Sequence, residues 1–134
     1  MHLSGILGFL ATASLLGSTN AICFGKGVTW AQAGGKVAAT NSLPNVCEKL
    51  EGTYNKGQSR KACVSKRQGA RFDFIIKNIS GDQNRRLTVQ ECKAGLFQEV
   101  DNCATGGHTK RDNWEFTYVF HPLSLCDLLG DWLE

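Results

Sequence analysis

Residues 101–120 read DNCATGGHTKRDNWEFTYVF, which sets His108 behind a glycine pair and Trp114 behind Arg111, Asp112 and Asn113. Two chemistries fit these residue types. His108 with Asp112 or Glu115 has the composition of an acid/base couple. Trp114 beside a guanidinium, a carboxylate and an amide has the composition of a sugar site, in which the apolar face of a pyranose packs on a ring and polar groups hydrogen-bond its hydroxyls. Gly106 and Gly107 would let the backbone come close to such a ligand.

Catalysis is the weaker of the two. A two-histidine site would need His108 and His121 to face one substrate, and a strand running on from Trp114 places His121 roughly 23 Å from the loop at about 3.3 Å per residue. The sequence holds no Gly-x-Ser-x-Gly elbow, no His-Glu-x-x-His and no phosphate loop. The expected site is therefore a non-catalytic one that binds glycans or glycoproteins, made of His108, Arg111, Asp112, Asn113 and Trp114. A competing reading treats Trp114, Phe116, Tyr118 and Phe120, which alternate with Glu115, Thr117 and Val119, as the core face of a strand. In that case the binding groups come from positions 104–113, or from Trp30 and Tyr54.

The elements that must hold this segment are legible from periodicity. Thr88-x-x-Glu91 forms a capping box, and Cys92, Leu96, Val100 and Cys103 recur on one face, predicting a helix over 89–102. RKACVSK and RFDFIIKNI read as a hairpin, with Phe72, Phe74 and Ile76 on one face. The segment 29–52 is helical in part, with Pro44 suited to a first turn, Val46, Cys47 and Leu50 on one face and Gly52 at the end. Leu125, Leu128, Leu129, Trp132 and Leu133 suggest a short docked helix. Together these give an α+β fold, a single-domain α/β sandwich with an antiparallel sheet flanked by helices.

Residues 1–21 lack Lys, Arg, Asp and Glu, and an apolar run over 6–16 is followed by Thr19 and Ala21 as small residues, the pattern of a signal peptide cut after Ala21. The remaining residues, 22–134, make one secreted, extracellular domain with no apolar run long enough to span a membrane. All six cysteines, Cys23, Cys47, Cys63, Cys92, Cys103 and Cys126, fall in that part, which predicts three disulfides of open connectivity. Roughly 16 Å of helix separates Cys92 from Cys103, so those two bond elsewhere. No Cys-x-x-Cys occurs and no histidine has ligand spacing, so neither a metal nor another cofactor is expected. A net charge of +3 is too mild to argue for nucleic acid, and Lys56, Arg60, Lys61, Lys66, Arg67 and Arg71 read as a solvated basic face. Asn78-Ile79-Ser80 is an N-glycosylation sequon.

The ordered pattern CFGKGVTW, GTYNKGQSRKACV, RFDFIIKNISG, RRLTVQECKAGLFQEVDNCATGGHT and NWEFTY, closing at Cys126, resembles a family of small secreted fungal proteins that includes a mushroom glycan-binding lectin with an α/β sandwich. The resemblance covers residues 23–126 and implies a cysteine-stapled sandwich, secretion and glycan binding without catalysis, as a monomer or a homodimer. The chain departs from that family in its tail, where relatives tend to stop near the last cysteine and DLLGDWLE follows here. The alternative function is that of a secreted effector or toxin acting on a host or competitor protein through the basic residues 56–71 and this tail.

Overall fold

The computed structural model describes residues 21–25, 35–65, 71–81, 83–121 and 126. Most of the signal-like segment, Trp30, Lys66, Arg67, the 67–70 turn and the C-terminal leucine and tryptophan cluster lie outside these residues. The elements run β1 (Ile22–Cys23), α1 (Lys36–Leu50), β2 (Gly52–Tyr54), β3 (Ser59–Ser65), β4 (Arg71–Asn78), β5 (Arg85–Leu87), α2 (Val89–Asn102), β6 (Gly107–Arg111) and β7 (Trp114–His121). Five strands form an antiparallel sheet in the order β1-β6-β7-β4-β3, and β2 pairs with β5 in a small second sheet. The fold is α+β, and three disulfides staple it.

Strand alternation builds the inner face of the large sheet. Phe72, Phe74 and Ile76 of β4 stand beside Trp114, Phe116 and Tyr118 of β7, all within 2 % of full burial. The helices contribute Ala39, Leu43, Val46 and Leu50 from α1 and Leu96 and Val100 from α2 to the same core. The aromatic row of β7 is thus the core face of a strand, with Phe120 only partly buried at its end.

α2 begins as its sequence dictates. The Thr88 hydroxyl accepts from the Glu91 amide at 3.1 Å, and the Thr88 amide donates to Glu91 Oε2 at 2.9 Å. α1 differs from expectation, because it starts at Lys36 and carries Pro44 in its interior rather than in its first turn. Pro44 has no N–H to give to the carbonyl of Thr40, a loss that ordinarily breaks a helix. Here Ala39, Leu43, Val46, Cys47 and Leu50 form one buried stripe that runs past the proline, and Cys47 is bonded to Cys92 of α2. Burial and the cross-link override the local preference. The helix ends at Glu51, ahead of Gly52, which opens β2.

The remaining disulfides tie Cys23 of β1 to Cys103 after α2, and Cys63 of β3 to Cys126. Cys92 and Cys103 indeed bond to different partners. On β4, Arg71 and Asp73 are both 4 % exposed and form a two-pronged ion pair at 2.7 and 2.8 Å. Arg71 therefore leaves the solvated basic face assigned to it from sequence. A charge taken out of water needs a partner, and a fork-shaped guanidinium meets a carboxylate two residues along the same strand face.

Glu99 is the other buried charge-bearing residue of note, fully buried on α2. Neither of its carboxyl oxygens, nor the Thr109 hydroxyl of β6, makes a hydrogen bond of regular geometry. Burial pushes the Glu99 carboxyl above its ordinary value of 4.5, and the Thr109 hydroxyl acts in the opposite sense. The folded state therefore holds this proton to higher pH than the unfolded chain does. Its contribution to stability is complete below the unfolded value and is lost as pH rises through the folded one. Glu99→Gln is expected to be more stable than the native protein by about 1–3 kcal/mol at pH 8, with the difference vanishing near pH 4. Urea denaturation of both proteins across that range measures it, and a difference independent of pH would refute the buried-acid account.

Candidate functional site

The segment 104–113, expected to be a free loop, is largely a strand and its turn. β6 occupies 107–111, and Asp112 and Asn113 close the β6–β7 hairpin with φ of 50° and 63°. Positive φ at both central positions is what a two-residue type I′ turn demands, and short Asx residues accept it best after glycine. The glycine pair also serves the fold rather than a ligand. A Cβ on Gly106 would lie 2.7 Å from the Tyr118 carbonyl oxygen, and one on Gly107 would lie 2.7 Å from both Cys103 Sγ and the Ile22 carbonyl oxygen. The backbone approached so closely is the protein's own.

The hairpin sorts the expected site residues onto two faces. Thr109 is buried against the helices, so its neighbour His108 stands on the opposite face, across from Ile22 and Thr117 in register and 6.1 Å from the Phe24 ring. His108 is opposite the fourth residue of β7, which brings His121 to about 13 Å along the strand rather than the 23 Å expected from a loop position. That is still beyond joint action on one atom. The carboxylates near His108 have other partners, Glu115 with Lys110 at 3.8 Å and Asp112 with Arg111 at 3.2 Å. Among the described residues no group of three or more His, Cys, Asp or Glu side chains is placed to hold a metal ion.

Arg111, Asp112 and Trp114 are brought together. They line a cleft of about 250 Å³ with Phe116 on the sheet side and Gln90, Glu91, Ala94 and Gly95 on the α2 side. Asn113 does not line it, although its carbonyl accepts from the Ile79 amide at 3.0 Å. Gly95 shapes the cleft, since a Cβ there would lie 2.4–2.5 Å from the Phe116 ring. The small residues Ala94 and Gly95 are thus the side of α2 against which the two rings and the hairpin leave open space. Gln90 and Ala94 had no motif to mark them, and only their four-residue spacing, with Ala94 three residues after Glu91, would have placed them on one helix face.

Trp114 cannot be the sugar platform expected of it. Its side chain is 1 % exposed, with the Tyr54 ring edge-on at 5.2 Å and the Arg85 guanidinium 4.8 Å over its ring. Its indole Nε1 is buried without a hydrogen-bond partner. Tyr54 is no substitute, because it is fully buried, donates its hydroxyl proton to the Leu50 carbonyl at 2.7 Å and lies under the Arg60 guanidinium at 4.3 Å. Burial pushes the Tyr54 phenol up to about 12 against the lowering influence of Arg60. Arg85 in turn donates to the Asp112 carbonyl, which fixes the turn at the cleft's rim.

The sequon has a structural role. Asn78 is fully buried, and its Nδ2 faces the carbonyls of Gln83, Asn55 and Tyr54 at 2.8, 3.2 and 3.4 Å. Its Oδ1 accepts from the Ser80 amide at 3.0 Å and the Ser80 hydroxyl at 2.6 Å. One amide thereby joins the end of β4 to the small sheet, and no side-chain nitrogen is presented to solvent for a glycan.

No protein-family model and no curated protein matches this chain.

The Asn78 geometry predicts that Asn78→Asp, which removes both donors and buries a charge among carbonyls, destabilises the protein by at least about 2 kcal/mol in urea denaturation. The folded fraction secreted from a eukaryotic host is expected to keep its electrophoretic mobility after enzymatic removal of N-linked chains. A mobility shift in that fraction would show that Asn78 is reachable.

Proposed function

We propose that the protein is a secreted glycan-binding module that binds without catalysing a reaction, and that its site is the cleft between α2 and the β6–β7 hairpin. The observation that carries this is the union, in one cleft, of an apolar base and a polar rim. Ala94, Gly95, Phe116 and Trp114 form the base, and Arg111, Asp112, Gln90 and Glu91 stand around it. Ligand sites are mostly apolar with a few placed polar groups, and a sugar offers the matching combination of a C–H face and hydroxyls. Glu91 is engaged at its capping box and the Asp112 carbonyl by Arg85, so the backbone of the rim is held before a ligand arrives.

The likeness to secreted fungal glycan-binding proteins supports the same reading, as does the signal-like residues 1–21. Three disulfides in a small domain are compatible with an extracellular protein, and no helix among the described residues is long and apolar enough to cross a membrane. Catalysis finds little support, since His108 stands on the sheet face away from the cleft and its nearby carboxylates are paired with cations. The effector reading drew on the basic residues 56–71, of which Arg71 is buried with Asp73 and Arg60 is stacked on Tyr54.

Arg111 is the residue to test, because Trp114→Ala would damage the core as well as the site. On an array of host and fungal glycans, the protein is expected to bind a defined set, and Arg111→Ala to weaken that binding about tenfold or more while leaving thermal stability within a few degrees. An array without hits, or hits indifferent to Arg111→Ala, would end this proposal.

A further inference from the structure

The cleft does not stand alone. On the other side of α2 lies an apolar groove of about 310 Å³, lined by Leu43 and Pro44 of α1 and by Ala94 and Phe97 of α2, with Thr40 and Lys93 at its edges. Ala94, exposed on α2, lines both, so the two depressions border on the same residue. Phe97, one turn further along, is 48 % exposed and adds its ring to the apolar wall of the groove. Each depression by itself sits near or below the low end of the roughly 300–1,000 Å³ typical of ligand sites, whereas the two together fall well inside that range.

Resting on the glycan reading of the cleft, we infer that the ligand is amphiphilic: a sugar seated between α2 and the hairpin, carrying an apolar aglycone that crosses Ala94 and lies in the groove against Phe97. Three features support this occupant. The groove meets the cleft at the shared residue Ala94, its polarity is the opposite of the cleft's rim, and the side chain at the meeting point is a single methyl group. Ala94 presents only a methyl group where the two depressions meet, while Leu43, Pro44 and Phe97 give an alkyl or aryl chain apolar surface to cover.

The test uses methyl and octyl β-glycosides of glucose, galactose, mannose and N-acetylglucosamine, the octyl compounds below their micelle concentrations, titrated into the isotopically labelled protein and followed by amide chemical shifts. A methyl glycoside that binds is expected to move the amides of Gln90, Arg111 and Trp114 alone. Its octyl partner is expected to bind about tenfold more tightly or better and to move Thr40 and Phe97 as well. Phe97→Ser, at a half-exposed position where the fold is retained, should abolish that gain and leave the methyl glycoside's affinity unchanged. If methyl glycosides occupy the cleft and the octyl chain adds nothing, or adds as much in Phe97→Ser, the aglycone inference is wrong and the glycan reading stands. If no glycoside moves the cleft amides, both fall together.

Discussion

The distance between the helix layer and the sheet is set where α2 meets β7, and Gly95 sets it. The Phe116 ring edge occupies the volume that any side chain at 95 would need. That contact lets Leu96 and Val100 reach the aromatic row of β7, and it places Cys92, one turn earlier on α2, where it can bond to Cys47. The position of α1 follows, because Pro44 leaves that helix dependent on its buried stripe and its cross-link. The candidate site is a by-product of the same constraint. A helix that must be small at 95 to seat a ring, and is also small at 94, leaves open space beside the rings it covers.

Patterns that repeat with the period of an element were legible in the sequence. The capping box and the stripe Cys92, Leu96, Val100 define α2 to its ends, and alternation in 71–78 and 114–121 defines the two central strands, because each signal sums over several residues that agree. Single residues read for their local chemistry misled. Pro44 resembled a helix start, yet tertiary burial outweighs one lost hydrogen bond. Gly106 and Gly107 resembled a loop, yet they are small because Tyr118, Ile22 and Cys103 crowd them, and the crowding by Tyr118 and Ile22 comes from residues distant in the chain. The turn at Asp112 and Asn113 carried a weak signal, an Asx pair between alternating runs, hidden by the sugar-binding composition around it.

The same residues show why polar composition overstates function. Asn78, Arg71 and Arg85 have the chemistry of recognition, and the fold engages each of them before a ligand could. Asn78 holds three carbonyls, Arg71 holds Asp73, and Arg85 holds the Asp112 carbonyl. A small domain has few buried polar groups to join its parts, so those it has are placed at junctions between elements. Of the five side chains expected to bind sugar, the fold assembles Arg111, Asp112 and Trp114, and it demotes the last from platform to base. The α2 half of the cleft was out of reach because nothing local relates Gln90 or Ala94 to a hairpin twenty residues later.

A buried tryptophan still matters to a site it does not contact broadly. Arg60, Tyr54, Trp114 and Arg85 form a run of cation, ring, ring and cation, with separations of 4.3, 5.2 and 4.8 Å. The run spans β3, β2, β7 and β5, so it joins the small sheet to the large one through side chains alone. Each guanidinium is also held by a carbonyl, Arg60 by Thr53 at 2.6 Å and Arg85 by Asp112. Attraction between a cation and a ring face strengthens when water is excluded, and here the rings are buried. The hairpin turn at the cleft's rim is therefore tied through Arg85 and Trp114 to the centre of the fold. A rim so fixed would lose little freedom on binding, which is what the proposed site, a shallow cleft with few polar groups, requires.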